Sequence, residues 1–70
     1  MGKIMRIREL REKAEMTQQA LGGRMGVMGS AVSNWETEIA LPLSRQLPHL
    51  AHVLGCSISD LFEPDVTEEE

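Results

Sequence analysis

Residues 17–36 constrain the fold of this chain more than any other segment, because they predict two short helices joined by a tight turn. The hydroxyl of Thr17 can accept a hydrogen bond from a free backbone N–H and so begin a helix over residues 18–25. Gly26 follows directly, and glycine adopts the left-handed conformation that ends a helix at no steric cost. A second helix is predicted over residues 29–36.

Each of the two predicted helices has an apolar face, defined by residues three or four apart, and small residues suit the place where the helices cross. The residues that we expect to face inward are Leu21, Gly22, Met25, Val27, Val32 and Trp35. The residues that we expect on the outward face of the second helix are Gly29, Ser30, Ser33 and Asn34. The pattern therefore predicts a crossed helix pair that exposes a polar surface.

This pattern resembles the helix-turn-helix of the Cro and lambda-repressor type, often called the XRE family. The positions that carry the resemblance are Gln18, Leu21, Gly22, Gly26, Val27, Val32 and Trp35. The similarity extends from about Ile4 to Phe62, which is nearly the whole chain. It implies an all-α fold, a compact five-helix bundle of the lambda-repressor-like DNA-binding type. An unrelated helical hairpin is the alternative interpretation of the same spacing.

Apolar residues at helical spacing predict three further helices around this pair. The first helix is expected over residues 3–14. The fourth helix is expected to begin between residues 44 and 47, because proline is tolerated in the first turn of a helix and Pro48 must therefore lie there. Gly55 is expected to end it. The apolar stripe of the first helix consists of Ile4, Ile7, Leu10 and Ala14. A fifth helix is expected to begin at Ser57. Ser57 and Asp60 are placed as a capping pair, and Leu61 and Phe62 are expected to face inward.

The composition describes one small domain near the lower size limit for an unaided core. The single Cys56 cannot form an internal disulfide, which fits a reducing cytosol. The sequence contains no apolar run of membrane-spanning length and no signal-peptide segment. We therefore expect a soluble, cytoplasmic protein.

The net charge of −4 is distributed unevenly along the chain. Residues 1–13 contain five bases and two acids, giving +3; residues 14–59 contain two bases and three acids, giving −1; residues 60–70 contain six acids, giving −6. We expect residues 1–63 to form the helix-turn-helix DNA-binding domain and residues 64–70 an acidic disordered tail. Without the acids of residues 60–70, the rest of the chain has a net charge of +2, which is mildly basic and permits modest attraction to phosphate.

Arg11 lies on the apolar stripe of the first predicted helix, where a guanidinium is costly unless it meets a carboxylate. By the family resemblance, Arg11 matches an arginine that pairs with a glutamate at the end of the recognition helix, here Glu36. A planar guanidinium suits a partly buried carboxylate. The alternative is that Arg11 extends its charged end to solvent.

The resemblance also implies which residues would contact DNA, because the second helix of the motif enters the major groove. Asn34 can form a bidentate contact with adenine, and Ser30 and Ser33 can bond several bases. Gln18 matches a glutamine that contacts phosphate and braces the recognition helix, and Thr37 would reach the DNA backbone. The complete predicted DNA-binding set is Gln18, Gln19, Met28, Gly29, Ser30, Ser33, Asn34 and Thr37.

Three positions depart from the family pattern, and at the first of them Met28 stands where a Ser or Thr cap is common. Gly29 has no side chain with which to read a base, and Glu38 replaces a common glycine and adds negative charge near the phosphates.

A zinc site is a further alternative, because three potential ligands fall at i, i+3 and i+7. However, a closed site wants four ligands, so solvated histidines and a packed thiol are the simpler interpretation of His49, His52 and Cys56.

The sequence therefore predicts a sequence-specific DNA-binding transcriptional regulator, a small phage-type repressor or Cro-like protein that binds pseudo-palindromic operators as a homodimer. The expected partners are double-stranded DNA and a second copy, without a membrane, a cofactor or a small-molecule ligand. We expect no enzyme, because no nucleophile–base pair, metal cluster or phosphate-binding loop is evident. The alternative is a protein-interaction module on the same fold, such as an antitoxin or antirepressor partner, with weak or vestigial DNA binding.

Overall fold

The structure, a computed structural model, describes residues 5–63 of the chain. This part contains four α-helices and two single turns of 3-10 helix. The helices are α1 (Ile7–Lys13), α2 (Gln18–Met25), α3 (Gly29–Thr37) and α4 (Leu47–Leu54), and the 3-10 turns are Ser44–Gln46 and Ser59–Leu61. The all-α class is confirmed, whereas the count of five helices was wrong. The predicted tail at residues 64–70 lies outside the described residues.

Local hydrogen bonds account for the ends of α2 and α4. The Oγ1 atom of Thr17 accepts from the backbone N–H of Ala20 at 2.9 Å, so α2 begins where the sequence predicts. Gly26 and Gly55 follow α2 and α4 in the left-handed conformation, with φ of 75° and 72°. These two ends were predicted correctly because a helix cap depends only on neighbouring residues.

The first helix begins later than the sequence predicts, because residues 5 and 6 pair with the end of the domain. Met5 forms an isolated antiparallel bridge with Phe62, and the N–H of Arg6 donates to the carbonyl of Leu61 at 2.7 Å. This extended pairing is incompatible with helix at residues 5 and 6. Residues 3 and 4 of the predicted helix lie outside the described part. Ala14 is the exposed C-cap of α1, not part of its buried stripe.

The predicted fifth helix is a single 3-10 turn for the same reason. Ser57 and Asp60 do form the expected capping pair, with Ser57 N–H to Asp60 Oδ2 at 3.2 Å and Asp60 N–H to Ser57 Oγ at 3.3 Å. The chain then becomes extended at Phe62 to pair with Met5, which ends the turn. Leu61 is fully buried, but Phe62 is 36% exposed, so its predicted inward orientation was wrong.

A single apolar core joins all four helices. Its members are Met5, Ile7, Leu10, Leu21, Val32, Trp35, Leu50, Ala51, Val53, Leu54 and Leu61. Met25 and Val27 are partly buried against this core. The longest helix among residues 5–63 has nine residues, and none is long and apolar enough to cross a membrane.

Candidate nucleic-acid interface

Two glycines allow α2 and α3 to approach each other closely. A Cβ atom at Gly22 would lie 2.8 Å from the carbonyl oxygen of Val27, which is closer than real side chains tolerate. A Cβ atom at Gly29 would lie 3.3 Å from the Cα atom of Gln19. The absence of a side chain at Gly29 therefore has a packing reason, because it brings the start of α3 against the first turn of α2.

The outward face of α3 and the start of α2 line one shallow open groove. Its lining residues are Thr17, Gln18, Gln19, Met28, Gly29, Ser30 and Ser33. Met28 is 76% exposed at the N-cap of α3, and Asn34 lies half-buried one residue after Ser33. The structure thus brings most of the predicted DNA-binding side chains together around one groove.

The outward polar side chains of α3 are not used by the fold. The side chains of Ser30, Ser33 and Asn34 make no hydrogen bond to another residue within 5–63. A hydroxyl and an amide can both donate and accept, so this surface can match the mixed donors and acceptors of base edges. Its chemistry is suited to reading the major groove.

Gln18 and Thr37 are engaged within the protein, unlike the residues on the outward face. The amide Nε2 of Gln18 donates to Oε1 of Glu36 at 3.0 Å, which leaves its second N–H available to a phosphate. The hydroxyl of Thr37 donates to the carbonyl of Ser33 at 3.1 Å. A hydroxyl has one proton, so Thr37 in this rotamer cannot also donate to a phosphate.

Arg11 and Glu36 meet beneath the recognition helix. Nε of Arg11 donates to Oε2 of Glu36 at 2.6 Å, and Nη2 donates to Oε1 at 3.3 Å. Nη1 of Arg11 donates to the carbonyl of Met16 at 2.7 Å. The two side chains are only 11% and 3% exposed, so a buried ion pair fixes the end of α3 to α1.

The pKa of Glu36 reflects opposing effects. Burial raises the pKa of this carboxyl group, but the hydrogen bonds from Arg11 and Gln18 and the charge of Arg11 outweigh burial. The net result is a pKa below the ordinary value for glutamate. The hydrogen bond to Glu36 in turn raises the pKa of Arg11. Both groups are therefore charged at neutral pH.

Most of the described basic residues in residues 5–13 form ion pairs with acids. Arg6 pairs with Glu9 at 3.1 Å, and Arg8 pairs with Glu12 at 3.1 Å. With Arg11 also paired to Glu36, three of the four cations in residues 5–13 form ion pairs. Glu9 and Glu12 are already counted in the +3 of residues 1–13, so including Glu36 lowers this charge only to +2. The cations of the described part that form no ion pair within 4.0 Å are Lys13, Arg24 and Arg45.

Glu38 caps α3 and contacts a distant part of the chain. It forms the C-cap of α3 in the left-handed conformation, with φ of 63°, where glycine is usual. Its Oε2 atom accepts a hydrogen bond from the backbone N–H of Met5 at 3.2 Å. The carboxylate therefore links the end of the recognition helix to the N-terminal segment. Sequence analysis missed this contact, because no local pattern pairs residues so distant along the chain.

The alternative zinc ligands are not gathered into a metal site in the described part of the chain. Nε2 of His49 lies 3.0 Å from the carbonyl oxygen of Arg24 at the end of α2, and His52 is exposed. Cys56 is half-buried against the core, and burial raises the pKa of its thiol. These three side chains have separate surroundings.

A model of the helix-turn-helix family matches residues 7–61. The chain belongs to the helix-turn-helix family. It is 36% identical over 63 residues to repressor protein C2 of Salmonella phage P22, a match that covers 90% of this chain and 29% of that repressor. The similarity in sequence thus concerns less than a third of the repressor's length.

Solved structures share this arrangement of helices. The crystal structure of the P22 c2 repressor protein in complex with a synthetic operator matches with a TM-score of 0.76 and 37% identity, covering 84% of this chain and 89% of that chain. Hydroxypropylphosphonic acid epoxidase from S. wedmorenis matches with a TM-score of 0.75 and 36% identity, covering 83% of this chain but only 31% of that chain. The similarity to the epoxidase is therefore confined to part of that enzyme.

Proposed function

We propose that this chain is a phage-type transcriptional repressor that binds specific duplex DNA as a homodimer in the cytoplasm. The observation that carries the proposal is the outward face of α3, where Ser30, Ser33 and Asn34 have no hydrogen-bond partner within 5–63. The similarity to a P22 repressor structure solved with an operator supports the same assignment.

In the proposed complex, α3 lies in the major groove and its outward side chains contact base edges. Asn34 is assigned a bidentate contact with adenine, and Ser30 and Ser33 are assigned flanking base contacts. Met28, at the exposed start of α3, can contact a thymine methyl group. The start of α2, with Gln18 and Gln19, is assigned to phosphate, because the first N–H groups of a helix attract anions.

Selection from a random duplex library tests this function directly. We expect enrichment of a pseudo-palindrome with half-sites about one helical turn apart, roughly 34 Å. Affinity should fall as salt concentration rises, because phosphate contacts release counterions. A library from which no motif is enriched would reject the proposal.

The second candidate function is a protein-interaction module on the same fold. Two observations favour it: the described cations of α1 are mostly paired with acids, and the same fold forms part of an epoxidase chain. This arrangement of helices therefore also occurs within a protein that is described as an enzyme. Failure of the duplex selection, with the fold intact, would favour this candidate.

A further inference from the structure

Two residues other than glycine adopt the left-handed backbone conformation within residues 5–63, and each is a glutamate that follows a helix. Glu15, two residues after the end of α1, has φ of 60°, and Glu38, at the C-cap of α3, has φ of 63°. This conformation is unfavourable for a residue with a Cβ atom, so it persists where the surrounding structure holds it. A glutamate in this conformation at the end of the recognition helix indicates a contact that glycine could not make.

The backbone at Glu38 closes the last turn of α3 over Asn34. The N–H of Glu38 donates to the carbonyl of Trp35 at 3.2 Å, and the left-handed conformation then folds the chain back. The N–H groups of Ile39 and Ala40 both donate to the carbonyl of Asn34, at 3.0 and 3.3 Å. The conformation of Glu38 thus determines which groups hold the backbone of Asn34, the residue assigned to the bidentate base contact.

The side chain of Glu38 holds residues 5 and 6 from one side, and the end of the domain holds them from the other. Oε2 of Glu38 accepts from the N–H of Met5 at 3.2 Å. The next N–H along the chain, that of Arg6, donates to the carbonyl of Leu61 at 2.7 Å. Successive N–H groups of an extended segment point in opposite directions, so the two bonds form together. The end of α3 is therefore connected to the end of the domain through two residues of extended chain.

This contact adds a second anchor to the end of α3. The first anchor is the buried ion pair of Arg11 and Glu36, which fixes the helix to α1. The contact from Glu38 lies two residues further along and reaches a different segment. Two anchors to different parts of the domain restrict rotation of a helix more than one anchor does. A bidentate base contact needs such restriction, because a binding group must be held to within about 0.5 Å of its productive position.

We propose that Glu38 is a positioning residue for base readout. By binding the N–H of Met5, its carboxylate sets the orientation of the end of α3 and thereby of Asn34. This inference rests on the proposed function, because it concerns the contact between α3 and base edges. The negative charge of Glu38 acts in the opposite sense, since a carboxylate near DNA is repelled by the phosphates. Loss of Glu38 therefore raises affinity for any duplex and lowers discrimination between duplexes.

Two substitutions separate the contact from the charge. Glu38→Gly removes both, and it keeps the backbone conformation, because glycine adopts the left-handed region without strain. Glu38→Gln removes the charge but keeps a side-chain oxygen that can accept from the N–H of Met5. Glu15→Gly is the matched control, because it removes one acid from the other left-handed position. The side chain of Glu15 makes no hydrogen bond or ion pair with another residue within 5–63.

Dissociation constants of the full-length chain are measured on a duplex selected from a random library and on a scrambled duplex, and their ratio gives the discrimination. We expect Glu38→Gly to bind the scrambled duplex more tightly and to lose discrimination about fivefold or more. Glu38→Gln should also bind the scrambled duplex more tightly but keep its discrimination to within about twofold. Glu15→Gly should keep its discrimination as well. Thermal melting verifies that all three variants are folded.

Amide hydrogen exchange without DNA tests the contact itself. Exchange of the Met5 N–H should accelerate in Glu38→Gly and stay slow in Glu38→Gln. The inference is overturned if Met5 exchanges equally in both variants, or if Glu38→Gly keeps the discrimination of the unsubstituted chain. It is also overturned if Glu38→Gln or Glu15→Gly loses as much discrimination as Glu38→Gly does. Failure to select any duplex would instead reject the proposed function, an outcome that is independent of the exchange at Met5.

Discussion

The inner and outer sides of the recognition helix use polar residues in opposite ways. On the inner side, Glu36 is 4% exposed and receives hydrogen bonds from Arg11 and Gln18. On the outer side, Ser30 and Asn34 have no hydrogen-bond partner within residues 5–63. The buried polar groups hold α3 in place, and the outer groups are available to a ligand. Substitutions on the inner side should therefore change stability, and those on the outer side should change binding.

The largest expected effect is on the inner side, at Arg11. Arg11→Met leaves Glu36 buried without its cation, which should lower the free energy of unfolding by about 3–5 kcal/mol. Urea denaturation measures this loss. Arg8→Met is the matched control on the exposed side of the same helix, where loss of the ion pair with Glu12 should cost less than about 1 kcal/mol.

A double variant isolates the interaction between the two buried charges. Replacing Arg11 and Glu36 together by methionine should recover much of the stability lost in Arg11→Met, because no buried charge is then left without its partner. Purely additive losses in this double-mutant cycle would show that the two charges are not coupled.

The next prediction compares the stability of variants at two adjacent glycines that lie on different faces of α2. Gly22→Ala should destabilise the fold by about 1–3 kcal/mol, because its Cβ would meet the Val27 carbonyl oxygen at 2.8 Å. Gly23→Ala should stabilise it by about 0.5–1 kcal/mol, since a Cβ there meets no atom within 4 Å and alanine favours helix. Thermal melting of the two variants gives the comparison. Equal shifts would contradict the close approach of α2 and α3.

On the outer side, Asn34→Ala should leave stability nearly unchanged and weaken binding to the selected duplex by about 1–3 kcal/mol. The preference at one base pair should relax, because a bidentate amide contact is lost. Gln18→Ala should weaken binding to all sequences and also lower stability, since its amide supports Glu36. Titrations on selected and scrambled duplexes separate these outcomes. Identical profiles for both variants would contradict the assigned roles.

The smallest expected effect is that of pH on the stability contributed by the ion pair of Arg11 and Glu36. Protonation of Glu36 removes its charge but leaves both side chains in place. The pKa of Glu36 is lowered in the folded protein, so its ionisation stabilises the fold above the unfolded-state value of about 4.3. This contribution is lost as the pH falls through the lower folded-state pKa. Glu36→Gln should therefore show a flatter decline in stability below about pH 4.3. Parallel curves for the two proteins would indicate that Glu36 titrates normally.

The helix-turn-helix itself was predictable to within a residue, because its signals are local. Thr17 and Gly26 mark the ends of α2, and the inward positions of Leu21, Val32 and Trp35 follow from helical spacing. The second helix extends one residue beyond the predicted end, to Thr37. The surface around the groove was predictable for the same reason, since residues opposite a buried stripe face outward.

The sequence by itself determined the family, the caps and the two faces of the recognition helix, because each depends on residues within a few positions of one another. Only the tertiary structure decided the contacts between distant segments. The pairing of residues 5 and 6 with Leu61 and Phe62 shortened the first helix and reduced the fifth to a turn. Glu38 meets Met5 across 33 positions, so its carboxylate binds the N-terminal segment. Such contacts depend on how the core packs, and no local pattern specifies that.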